Sequence, residues 1–140
     1  MRQWPLWCAA LWWGSLTTLG FGVVPLLFTY LPSAALAGNL AARLFAVQTW
    51  VSVALGVALL VASRPGPSSV SGARVGAATM FILGGMLLAL LAEFAVAPRI
   101  VARDNLPLWH AVGSAMYLAQ WSCAGATFRA MVQPNAPVQV

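Results

Sequence analysis

Apolar residues run almost unbroken through four stretches of the chain, Leu6–Tyr30, Leu40–Val61, Val75–Ala97 and Leu108–Met131, and the charged residues gather at their ends. Each stretch is near or above the ~20 residues that an α-helix needs to cross a ~30 Å hydrocarbon core. The pattern predicts an all-α fold: an integral membrane antiparallel four-helix bundle, running up-down-up-down, with residues 1–140 forming a single membrane domain. Breakers punctuate it where such a bundle turns. Leu31-Pro32-Ser33 ends the first run, Arg64 to Ser69 reads as a loop, and Arg99 to Asn105, closed by Pro107, joins the last two runs. The tail from Gln133 is short and polar.

Within the runs, the small and polar positions have their own spacing. Trp4 and Trp7 suit one headgroup layer. Gly14, Thr18 and Gly22 recur every four residues and predict a helix-packing face, because small residues let backbones approach closely in lipid. Pro25 removes a backbone hydrogen bond and should kink the turns before Tyr30. Gln48, Ser52 and Gly56 form a second four-residue stripe able to hydrogen-bond and pack. The third run holds Gly76, Gly84 and Gly85. On the fourth, Ser114, Tyr117, Trp121 and Phe128 fall within about 40° of His110 at 100° per residue.

Composition narrows the function. With 61% of residues hydrophobic and 6% charged, four spans use nearly all of the chain and leave no room for a soluble catalytic module. The net charge of +5 comes from seven Arg and no Lys, scattered at span ends rather than clustered, so nucleic acid is not expected as a partner. An N-terminus inside places Arg2, Arg64, Arg74 and Arg129 in the cytoplasm, against Arg43, Arg99 and Arg103 outside, which favours N-in/C-in. Cys8 and Cys123 form no C-x-x-C and read as small apolar thiols. Ala35-Leu36-Ala37 before Gly38 resembles a leader cleavage site, but the preceding apolar run exceeds the usual 7–15 residues, so the first helix is expected to be retained.

In an up-and-down bundle Tyr30, Asn39, Arg43, Glu93, Arg99 and His110 all reach one membrane face. An ionisable residue within a span is expensive unless paired or hydrated, so Glu93 should have a partner, and Arg43 and His110 are the candidates. A Glu93–His110 contact would support proton movement. Three readings stand: an ion-pair and hydrogen-bond cap; a ligand, metal or proton site using Arg43, Glu93, His110, Asn39, Tyr117 and Ser114; or no interaction, with Glu93 and His110 each touching interfacial water. Met80, Met86 and Met116 lack the clustering of a metal path, no metal site is assigned, and no cofactor is expected. No Ser-His-Asp, HExxH, phosphate-loop or paired-carboxylate pattern occurs, so the chain is not expected to be an enzyme.

Three segments carry a family resemblance: Trp13-Gly14-Ser15 through Pro25-Leu26-Leu27-Phe28, Ala37 to Phe45, and Leu108 to Ser114. They resemble the bacterial branch of the transmembrane-protein-205-like family, a domain of unknown function. That resemblance implies a small multi-pass protein of the bacterial inner (cytoplasmic) membrane, without settled activity. More distantly the architecture is similar to copper-resistance D-type proteins and to small membrane protoporphyrinogen oxidases. Those oxidases rely on a histidine in the first helix, and this first helix has none. The sequence therefore supports a protein that binds or helps move a small solute, metal or lipid at the Arg43/Glu93/His110 end. The alternatives are a porphyrin- or haem-linked redox protein acting as an oligomer, and an accessory scaffold subunit of a larger membrane complex. Expected partners are the lipid bilayer and a homo-oligomeric or larger membrane assembly.

Overall fold

The computed structural model describes residues 3–63 and 72–133. The expected loop from Arg64 to Ser69, Arg2 and the Arg74 side chain lie outside the described residues. Four helices make up the rest, and no strand occurs among the described residues. Helix α1 is Trp4–Tyr30, α2 is Ala34–Ala62, α3 runs through Gly72–Leu91, Ala92–Val96 and Ala97–Val101, and α4 is Leu106–Val132. Three of them, α1, α2 and the Gly76–Val101 portion of α3, are long and apolar enough to cross a membrane. Four such spans were expected. Helix α4 has the length, at 27 residues, but polar residues through its middle keep it out of that group.

Helix ends differ from the apolar runs because caps set them. Helix α2 begins well before Leu40, since Ser33 is extended and its hydroxyl accepts the Leu36 amide at 3.2 Å. Helix α3 continues past Pro98. The disturbance expected at Pro25 takes the form of a wide turn: residues Leu19–Val23 are π-helical, and Ala92–Val96 repeat the feature in α3. Each wide turn precedes a proline, so Pro25 and Pro98 stand in the first turn of the α-segment that follows. There the missing N–H is tolerated and the ring is carried clear of the preceding carbonyls. Between α3 and α4, Arg103 and Asn105 take left-handed backbone angles (φ 56° and 40°). Arg99 pairs with Asp104 at 3.8 Å and lies 4.7 Å from the centre of the Trp109 ring.

Each helix packs on two neighbours, α1 and α3 both lying against α2 and α4. The core is made of small residues around a few large ones: Ala9, Trp12, Leu16, Leu59, Ile82 and Ala124 are fully buried. Trp12 fits a notch left by Gly85, where an added Cβ would stand 2.8 Å from the indole. Trp13 stacks on Phe128 (centroids 5.7 Å, planes 19° apart) and covers Gly125. Large apolar side chains such as Trp7, Val47, Met80 and Phe94 point outward. That distribution suits a solvent of lipid tails, which gives apolar side chains no reason to be inside.

The expected packing face of Gly14, Thr18 and Gly22 does not pack against another helix of this chain among the described residues. Thr18 is exposed, and nothing approaches within 4 Å of where a Cβ would stand on Gly14 or Gly22. Gly14 lies about 200° round the helix from Trp12, so the stripe points away from the face that buries Ala9, Trp12 and Leu16. Close approach occurs at Gly20, Gly56, Gly85 and Gly125, which meet Tyr117, Met86, Trp12 and Trp13. Ser52 is fully buried and Gly56 is buried beside it. Both cysteines are free.

Gly85→Ala should therefore destabilise the bundle by about 1–3 kcal/mol through overpacking against a rigid ring, whereas Gly14→Ala should be neutral within about 0.5 kcal/mol. Thermal unfolding in detergent, followed by the monodisperse fraction, compares them. Equal losses would refute the assigned packing faces.

Candidate functional site

Between the four helices lies a cavity of about 440 Å³. Both wide turns open onto it, through Gly20 and Phe21 on α1 and through Ala92 and Glu93 on α3. A π-turn displaces one residue from the α-ladder and so re-aims side chains locally. Here it turns a carboxylate and a glycine toward one space. Phe28, Phe45 and Tyr117 supply aromatic wall, and His110 and Ser114 line the α4 side.

A polar seam crosses the bundle beside the cavity. The Ser15 hydroxyl donates to the Trp12 carbonyl at 2.9 Å and accepts from Gln48 Nε2 at 2.9 Å. Gln48 Nε2 also reaches Ser52 Oγ at 3.5 Å, and Gln120 Nε2 donates to the same oxygen at 3.0 Å. Three helices are thereby tied through two carboxamides that are 8% and 4% exposed, each about midway along its helix. Hydrogen bonds of this kind cross helices where no water competes.

Tyr117 closes the α1 side. Its hydroxyl donates to the Leu16 carbonyl at 2.6 Å, with the Gly20 backbone amide facing the same oxygen. A side chain has thus inserted into the helical ladder where the wide turn begins, and a Cβ on Gly20 would collide with the ring. Phe45 meets Tyr117 edge-on at 5.3 Å. Farther along α4, Trp121 Nε1 donates to Thr17 Oγ1 at 2.9 Å.

The structure divides the expected site residues. Part-buried Glu93 and Tyr117 line the cavity together with His110 and Ser114, which are exposed at its open side, whereas Arg43 and Asn39 are exposed and outside its lining. The expected partnership of Glu93 with Arg43 or His110 does not form: among the described residues no ion pair within 4 Å and no hydrogen bond joins them. The wide turn in α3 faces Glu93 into the cavity, while Arg43 points outward. Among the described residues no group of three or more metal-binding side chains comes together.

A family model described as a domain of unknown function, DUF4149, matches residues 7–106. The chain belongs to the DUF4149 family. The match covers α1 to α3 and reaches the first residue of α4, so the DUF4149 segment supplies most of the cavity wall, and Tyr117 and Gln120 lie beyond it. No match is found among curated proteins or among solved structures.

Sequence reasoning found Gln48 and Ser52 but missed Gln120 and the second wide turn. A signal for both was present in this DUF4149 chain. Phe21-Gly22-Val23-Val24-Pro25 recurs as Phe94-Ala95-Val96-Ala97-Pro98, and an aromatic followed three residues later by Gln occurs as Phe45/Gln48 and Tyr117/Gln120. The α1–α2 and α3–α4 pairs thus share landmarks at matching places.

Because Gln48 and Gln120 share one acceptor, their contributions should be coupled. Ser52→Ala should cost about 0.6–1.7 kcal/mol, and Gln120→Leu on that background should cost much less than in the native chain. Equilibrium unfolding of the four members of this double-mutant cycle measures the coupling. Simple additivity would mean that the bond across to Gln120 contributes nothing.

Proposed function

We propose that this protein is a non-enzymatic multi-pass membrane protein that holds a small, largely apolar molecule in the cavity between its helices. The observation that carries the reading is the cavity itself: about 440 Å³, walled by all four helices, mainly apolar and aromatic, with two buried carboxamides alongside. Ligand sites commonly have this size and this mixture of apolar wall with few polar groups. The reading thus moves the site away from Arg43 and Asn39, which are outside the lining, to the space faced by Glu93, His110, Ser114 and Tyr117.

The same proposal includes an up-down-up-down, N-in/C-in bundle in which α4 is the fourth span, in a bacterial inner membrane. Reversed contact order between α1 and α4 supports antiparallel neighbours, since Trp13 covers Gly125 while Leu16 meets Tyr117. Hydrogen bonds made within the protein by Tyr117, Trp121, Ser122 and Thr127 support the placement of α4 in lipid. Kinship with the transmembrane-protein-205-like proteins rests on the segments already named. A homo-oligomer would bury part of the outward apolar surface.

Native mass spectrometry of protein gently extracted from its own membrane tests the reading. The native chain should retain a small-molecule adduct that is lost in Ala42→Trp and in Ser114→Trp, both placed on the cavity lining. Adducts unchanged by either substitution would overturn cavity binding.

A further inference from the structure

Resting on that cavity reading, we propose that the ligand is a lipophilic amine, an N–H-bearing cation on an apolar or aromatic body. Three features converge. The first is an unmet acceptor. Ser15 spends its hydroxyl proton on the Trp12 carbonyl, so toward Gln48 it can only accept, and the Gln48 atom facing it must be Nε2. Among the described residues the carbonyl oxygen of Gln48, whose side chain lines the cavity and is 8% exposed, is left without a protein partner. Gln120, 4% exposed, likewise uses its Nε2 on Ser52 and leaves its carbonyl oxygen unpaired. Neither oxygen is sealed off: among the described residues the fully buried side-chain atoms without a partner are the indole N–H groups of Trp12 and Trp13, so each carboxamide oxygen, on a side chain that lines the cavity, stays accessible as an acceptor for an entering donor.

The second feature is charge. Among the described residues Glu93 is the one acid on the lining, and no Arg or Lys accompanies it there. Arg43 is exposed outside the lining, and Arg99 is engaged by Asp104 and Trp109. His110, on the same wall, is the sole basic group able to offset the carboxylate, and it is not within ion-pair distance of it. A carboxylate inside a span calls for a counter-charge, which an entering cation supplies. The third is the wall: Phe21, Phe28, Phe45 and Tyr117 present ring surface of the kind that attracts ammonium groups. An N–H-bearing amine satisfies all three, whereas a quaternary ammonium cannot donate to Gln48 and a carboxylate would oppose Glu93.

The test uses the full chain in nanodiscs of uncharged lipid, with empty nanodiscs as the partition control. Binding of naphthylmethylamine, naphthylmethanol and naphthoic acid is compared for the native protein, Glu93→Gln, Glu93→Asp and Gln48→Leu. The amine is expected to bind about tenfold tighter than the alcohol, with the acid weakest. Glu93→Gln should erase the amine's advantage while leaving the alcohol unchanged, Glu93→Asp should keep it, and Gln48→Leu should weaken amine and alcohol alike. Equal affinity for amine and alcohol, or an advantage that survives Glu93→Gln, overturns the amine assignment and leaves cavity binding standing. If no probe binds above empty nanodiscs, and Ala42→Trp behaves as the native chain does, cavity binding and the amine assignment fall together.

Discussion

Trp12 lies fully buried over the backbone of Gly85, and this fit ties α1 to α3 across the diagonal of the bundle. In a hydrocarbon solvent, apolar side chains gain nothing by leaving lipid for protein, so helices are held by shape complementarity and by hydrogen bonds that lipid cannot replace. A flat indole in a glycine notch supplies the first. Its cost is visible in the same place: the Nε1 atoms of Trp12 and Trp13 are buried without a partner. Each such N–H forfeits about 1–3 kcal/mol. The close fit of the rings is kept despite that penalty.

The other diagonal is spanned by polar atoms. Gln48 and Gln120 meet at Ser52, and the cavity lies alongside, where α2 and α4 are not in direct backbone contact over any length. One diagonal is thus filled by a ring and the other held by a few hydrogen bonds. The wide turns complete this division of labour. They carry Gly20 and Glu93 to the cavity and leave the Ala9–Trp12–Leu16 face undisturbed on the other side of the turn.

Helix number and fold class were legible in the sequence because the length of an apolar run is set by the bilayer and is independent of what each side faces. Rotation about the helix axis was not. In a soluble protein a polar face reveals the phase, but here lipid-facing and core-facing positions are both apolar, and Gly14 on the lipid side looks like Gly85 in the core. The i, i+4 spacing of Gly14, Thr18 and Gly22 is genuine but faces away from the core of this chain. For the site, Glu93 and His110 stood out as rare titratable groups in spans. The failure of Glu93 to pair follows a π-turn in α3 that changes the register by one residue, which α-helical periodicity cannot express, and Arg43 turns outward on the regular helix α2, whose rotation the apolar pattern does not reveal. Gln120 was hidden because its partner on another helix gives its polarity meaning only after folding.

The wide turns bear on how relatives of this chain are compared. A one-residue gap inside a membrane helix is ordinarily a sign that two sequences have been misaligned, since a deletion would swing everything beyond it by about 100°. At Leu19–Val23 or Ala92–Val96 the opposite holds. A relative shorter by one residue there, and lacking the proline that follows, would keep an unbroken helix with a regular ladder and the same outer face beyond the turn. What it would lack is the inward displacement of Gly20 or Glu93. Within DUF4149, a gap at these two places would therefore mark which members have kept the chamber and which have closed it.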